Sequence, residues 1–110
     1  MASTPPQART EELVRAMRAF GSASRLELLR AMLDPRQLDA APGEVSEHGV
    51  CLALLARTVG IAGPTALQHL SKLVEAGLCV KTADRRGGGF TFYRRDENAI
   101  TDVADRLRHV

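Results

Sequence analysis

Apolar positions recur at helical spacing in four consecutive stretches and then switch to strict alternation. Leu13, Val14, Met17 and Phe20 form the first helical stripe, starting near Thr10, and Gly21 offers its stop. Leu26, Leu29, Met32 and Leu33 form the second. Ser24 followed by Glu27 matches a capping box, with Ser22 as an alternative start, and Pro35 ends the run. Leu52, Leu55 and Val59 predict a third helix from about Val50 to Val59, closed by Gly60 in the left-handed conformation. After Gly60-Ile-Ala-Gly63, with Gly63 as cap, Pro64 suits a first helical turn because its missing N–H needs no partner there. This fourth helix runs to about Ala76, before Gly77.

Alternation then takes over. Leu78, Val80 and Thr82 interleave with Cys79, Lys81 and Ala83, and Phe90-Thr-Phe-Tyr-Arg alternates again after a tip of Asp84-Arg-Arg-Gly-Gly-Gly. These are two strands of a hairpin. Asp96 can cap a last helix with the stripe Ile100, Val103 and Leu107. The expected fold is mainly α with a small β-hairpin, of order ααααββα, an order that the turn and tip considered below make a winged helix-turn-helix. Residues 1–9 are expected as a flexible tail and residues 10–110 as one domain, which the charge pattern and family resemblance set out below mark for DNA binding and dimerisation. Residues 35–48 have many turn formers and no long apolar period, which predicts a loop longer than most, with Asp39, Glu44, Glu47 and His48 ordinary for a solvated segment.

At 110 residues, 45% hydrophobic and with no Trp, the chain has the size of one small domain, for which a second copy is a natural way to cover apolar surface. There is no apolar run long enough for a membrane span and no signal-peptide pattern at the start, so a cytoplasmic protein without a membrane partner is expected. In that compartment Cys51 and Cys79 are expected as free thiols.

The formal charge of +2 hides an asymmetry. Between residues 57 and 95, seven Lys or Arg stand against Glu75 and Asp84, whereas the flanking segments are acidic. A polyanion would be drawn to one region. That region holds the third and fourth helices, which have the form of a helix-turn-helix whose second helix can enter a major groove. With about 100° per residue, Ala66, Leu70, Leu73 and Val74 fall on one side of the fourth helix, and Thr65, Gln68, Ser71 and Lys72 on the other. Gln68 can pair bidentately with adenine, Lys72 can meet a phosphate or guanine, and Leu67 can touch a thymine methyl. Arg85 and Arg86, on a glycine-rich tip that can approach a surface closely, suit a wing on the phosphate backbone or minor groove.

Gly21-Ser-Ala-Ser-Arg-Leu-Glu-Leu-Leu-Arg, the stretch Pro64-Thr-Ala-Leu-Gln-His-Leu-Ser-Lys-Leu-Val-Glu-Ala-Gly-Leu and Phe90-Thr-Phe-Tyr-Arg together resemble winged-helix repressors of the ArsR/SmtB type. The resemblance covers nearly the whole chain. It implies a homodimer built by the first and last helices, in keeping with the stripes Leu13/Met17 and Ile100/Val103/Leu107, and a fourth helix in the major groove of double-stranded operator DNA. By position it implies base contacts at Gly63, Thr65, Leu67 and Gln68. Gly63 and Leu67 stand where the family often has polar residues, which shifts weight toward phosphate contacts and shape readout. His69, at the edge of the buried face, is expected to be packed and hydrogen-bonded rather than base-reading.

Metal-sensing members carry Cys-x-Cys on the third helix; here Cys51 fills the first position and Ala53 the second, leaving His48 and Cys51 as the remaining candidate ligands and no metal as the expectation. Asp102, Asp105 and His109 supply one imidazole and read as an exposed acidic face. A small-molecule, metal or redox effector is left open, and no cofactor is expected. The expected function is a sequence-specific DNA-binding regulator, a homodimeric repressor. The alternative is a winged-helix protein-interaction module, favoured by apolar Leu67 on the reading face. An enzyme is not expected: Gly87-Gly-Gly lacks the context of a phosphate loop, and the scattered histidines and cysteines assemble no catalytic set.

Overall fold

A computed structural model describes residues 6–84 and 90–110. Its helices are α1 (Pro6–Phe20), α2 (Ala23–Leu33), α3 (Leu52–Val59), α4 (Gly63–Glu75) and α5 (Glu97–Leu107). Its strands are β1 (Val45–Ser46), β2 (Gly49–Cys51), β3 (Cys79–Ala83) and β4 (Thr91–Arg95). The expected order of four helices, a hairpin and a helix is present, with additions and shifts at the boundaries.

Helix α1 begins at Pro6 rather than near Thr10, so residues 6–9 belong to the helix and not to a tail. Proline suits that first turn. The cap of α2 is Ser22, not Ser24: its backbone is extended and its hydroxyl accepts the N–H of Arg25 at 3.3 Å. Glu27 instead pairs with Arg30 at 2.9 Å on the exposed face. Gly63 is the first residue of α4, preceded by Ala62 in the cap position, with Pro64 in the first turn as expected. Asp96 caps α5 through the N–H of Ala99 at 3.0 Å.

The segment 35–48 departs most from expectation. It opens with a single 3-10 turn at Pro35–Gln37 and continues into β1, which pairs antiparallel with β2. Strand β2 in turn pairs with β4, Val50 opposite Tyr93 and Cys51 opposite Phe92, giving a four-stranded sheet of order β1-β2-β4-β3 in place of a lone hairpin. The start expected for the third helix thus falls inside β2. Val50 and Cys51 are buried, and a short run buried all round shows no period that separates strand from helix.

Leu28, Leu54, Leu55, Leu70 and Leu73 fill the centre, closed on the sheet side by Val50, Phe92 and Tyr93. Burying these side chains contributes roughly 1.5–3 kcal/mol each before the entropy of ordering them is counted. The core locks α4 against α2 and α3 by its apolar face.

Two glycines with positive φ separate conformational need from crowding. Gly60 (φ 80°) ends α3, and a Cβ there would meet nothing within 4 Å. At Gly49 (φ 114°) a Cβ would lie 2.1 Å from the carbonyl oxygen of Tyr93, inside the β2–β4 ladder. Gly60→Ala is expected to cost about 1–2 kcal/mol for the left-handed backbone alone. Gly49→Ala should cost clearly more, because β2 must also move off β4. Urea unfolding of the two variants checks the order; equal losses would contradict the close approach.

Candidate nucleic-acid interface

The helix-turn-helix is α3, the turn at Gly60-Ile-Ala and α4. Ala66, Leu70 and Leu73 are fully buried, which leaves Thr65, Leu67, Gln68 and Lys72 exposed on the opposite side. Gly63 is half-buried at the start of the helix, and nothing lies within 4 Å of where its Cβ would be. The structure therefore brings Gly63, Thr65, Leu67, Gln68 and Lys72 together on one helix. Leu67 is 41% exposed, an apolar residue on the face otherwise set for polar contacts. Lys72 lies 3.8 Å from Glu75 in an exposed pair, which leaves it available to a stronger anion. Arg85 and Arg86 lie outside the described residues.

The basic segment divides on inspection. Arg57 is held by Glu44 and Arg95 by Glu97, so neither contributes a free charge. Lys81 and Arg94, on the two strands of the wing, are exposed and form no ion pair among the described residues. The sequence gives no signal for them beyond their charge, because net charge does not distinguish compensated residues from free ones.

Two residues that position the interface had no clear signal in the sequence. Arg25 on α2 donates from Nε to the carbonyl of Ala19 at 2.7 Å and from Nη2 to that of Arg18 at 3.2 Å, and its Nη1 lies 3.2 Å from Nδ1 of His69. One guanidinium thus ties the end of α1 to the middle of α4. Arginine brings only donors to that contact, so Nδ1 of His69 is the acceptor and its proton sits on Nε2. His69 is accordingly half-buried and hydrogen-bonded.

Glu44 is the second. Expected as an ordinary loop residue, it is buried, with 8% exposure, and its carboxylate accepts both terminal nitrogens of Arg57 at 2.6 and 3.1 Å and the N–H of Ala41 at 2.7 Å. The Sγ of Cys51 lies 3.9 Å away. A bidentate arginine fork and a backbone donor make the burial of this charge tolerable. The segment 35–48 is thereby fastened to α3.

The candidate metal ligands are not gathered. His48 lies 3.5 Å from Glu47 and against the ring of Phe92, whereas Cys51 is turned to Glu44. Among the described residues, no three His, Cys, Asp or Glu side chains converge as metal ligands would. On α5, Asp102 pairs with Arg106 at 3.0 Å, Asp105 with Arg108 at 3.8 Å, and His109 reaches the carbonyl of Asp105. Cys51 and Cys79 are free and buried. No helix among the described residues is long and apolar enough to cross a membrane.

The stripes of the terminal helices divide as well. Val103 is buried with 8% exposure, and Leu13 and Ile100 pack beside it against the core. Val14, Met17 and Leu107 remain about 40% exposed.

Five helices, a helix-turn-helix with a solvent-facing polar stripe and a sheet-borne wing define a winged helix-turn-helix protein. No protein-family model matches the chain. It is 34% identical over 100 residues to YbzH of Bacillus subtilis (strain 168), an uncharacterized HTH-type transcriptional regulator, covering 88% of this chain and 96% of that one. It is 29% identical over 97 residues to ArsR2 of Halobacterium salinarum, a putative arsenical resistance operon repressor, covering 86% and 70% of the two chains. Among solved structures, the homodimeric winged helix-turn-helix DNA-binding domain of Mb0332 from Mycobacterium bovis superposes with a TM-score of 0.61 at 24% identity, covering 97% of this chain and 87% of that one. The chain belongs to the HTH-type transcriptional regulators.

Two solution properties follow from the buried groups. The guanidinium of Arg57, with the N–H of Ala41, holds the Glu44 carboxyl below the usual glutamate range. A carboxyl depressed in the folded state contributes stability above its unfolded pKa, about 4.3, and loses it as pH falls through the folded value. Glu44→Gln is expected to lower the melting temperature at pH 7, and the gap to wild type should close below about pH 4. A gap unchanged between pH 7 and pH 3 would contradict the ion pair.

Burial pushes the thiol of Cys79 up to about 12. Its alkylation by iodoacetamide at pH 8 should be slower in the folded protein than in denatured chain by on the order of 10³-fold. Mass spectrometry of the Cys79 peptide measures this, and labelling within tenfold of the denatured rate would contradict it.

Proposed function

We propose that the protein is a homodimeric repressor that occupies an inverted-repeat operator, with α4 in the major groove and the β3–β4 wing on the backbone or minor groove. The observation that carries this reading is the division of α4: Ala66, Leu70 and Leu73 are fully buried, and Thr65, Gln68 and Lys72 stand outward beside them. Gln68 reads adenine, Lys72 meets a phosphate or guanine, Leu67 touches a thymine methyl, and Gly63 and Thr65 meet the groove at the N-terminal turn, where the helix dipole favours phosphate. Arg85 and Arg86, which lie between the two strands in sequence, and Lys81 and Arg94 on the strands supply sequence-independent attraction.

The homodimer uses α1 and α5. Its contact surface centres on Val14, Met17 and Leu107, with Leu13 and Ile100 half-buried beneath them, while Val103 supports it from inside the protomer. Two-fold symmetry then sets half-sites about one helical turn, roughly 34 Å, apart. Repression by occupancy accords with the name of the Halobacterium relative, and the dimer with that of the Mycobacterium domain. The protein acts by binding rather than by catalysis, in the cytoplasm.

The exposure of Leu67 favours one competing reading, a protein-docking face. Fluorescence polarization with DNA from just upstream of the coding sequence, over a salt series, separates the two. DNA binding predicts a steep salt dependence; Gln68→Ala should lose about 1–3 kcal/mol of base discrimination, and Arg85→Ala/Arg86→Ala should weaken all sequences alike and flatten the salt slope. Weak, salt-independent binding without preference for an inverted repeat would overturn the reading. Activity lost on Leu67→Asp but retained on reversing the wing charges would favour the docking face.

A further inference from the structure

A groove of about 680 Å³ lies between α1, α4 and α5, with Arg25 of α2 reaching its wall. Its volume falls within the range of small-molecule sites. The floor is apolar and made of small side chains, with Ala16, Ala19 and Val103 all buried. The charges around it are unbalanced, five cations against three acids. The acids are already taken: Glu75 by Lys72 at 3.8 Å, and Asp102 and Glu12 by Arg106 at 3.0 and 3.5 Å.

Arg15 and Arg18 have no ion pair or side-chain hydrogen bond among the described residues, and Arg25 faces only neutral acceptors, two carbonyls and an imidazole. Three guanidinium groups beside an apolar floor lack a counter-charge. A DNA phosphate would be served by exposed cations alone and would leave the floor without a function; an anion with an apolar body uses both.

We propose that this groove is an effector site for a small organic carboxylate, its anionic end held by Arg15 and Arg18 and its apolar body laid on Ala16, Ala19 and Val103. The site rests on the regulator reading and adds its control. Arg25 connects the two: the guanidinium that borders the groove is the same one that holds His69 on the reading helix. A carboxylate drawing Arg25 toward the groove competes with that contact, freeing α4 from its tie to α1 and lowering affinity for DNA.

The test uses octanoate as the probe and octanol as its neutral counterpart, with the full-length ¹⁵N-labelled protein. Octanoate should produce saturable amide shifts at Ala16, Ala19 and Val103. Octanol, and octanoate with the Arg15→Gln/Arg18→Gln variant, should bind at least about tenfold more weakly. Both substitutions lie at exposed positions, and an unchanged melting temperature confirms that the variant is folded. In polarization with the upstream DNA, saturating octanoate should raise the wild-type Kd about threefold or more and leave that of the variant unchanged.

Absence of shifts at those three amides, as when a second copy covers the groove, would overturn the site. So would equal binding of octanol, or binding indifferent to the two arginines. Binding without a change in Kd would overturn the regulatory role. The DNA titration without octanoate reports on the repressor reading separately, so that failure of one is not mistaken for failure of the other.

Discussion

The burial of one side of α4 is the constraint on which the rest of the molecule turns. Ala66, Leu70 and Leu73 have no exposed surface, and around them pack α2, α3 and the first residues of the wing. A helix so committed cannot rotate without withdrawing Leu70 and Leu73 from the core, a change of several kcal/mol. Its outward stripe is therefore defined by its inward one. The cap of α3 at Gly60 and the proline-led start of α4 set the angle at which the stripe is shown.

Two arginines extend this rigidity to parts of the chain that apolar packing reaches poorly. Arg25 gathers carbonyls of the last turn of α1, those of Arg18 and Ala19, and spans to α4. Arg57 fastens the segment before β2 through Glu44. In each case a planar fork makes several directed bonds at once, which a lysine could not do. Apolar contact places the elements, and the forks set their mutual angle.

The elements of regular period were legible from the residues: the stripes of α1, α2 and α4, the Asp96 cap, and the alternation of β3 and β4. Where packing overrides period, the sequence is a poorer guide. Val50 and Cys51 carry no alternation because both are enclosed, so the residues of the second strand read like the start of a helix. Ser24, with Glu27 three residues on, is the better cap by pattern, yet the path of the chain out of α1 puts Ser22 in the cap position. Glu44 read as solvated because its partner lies thirteen positions away, and Arg25 was without a role because His69 lies forty-four away. The reading face could be drawn from a helical wheel. The joints that hold it could not, since long-range pairing leaves no local period.

Strand β2 has no linker after it: Cys51 is both its last residue and the residue capping α3. Because β2 is also hydrogen-bonded to β4, the wing is continuous with the helix-turn-helix through backbone as well as side chains. The base of the wing and the reading helix are thus set apart like the jaws of a fixed calliper. Under the proposed function, such a fixed spacing makes binding respond to the width and curvature of a duplex as well as to its bases, so that a site of correct sequence but wrong groove width has to deform to be gripped.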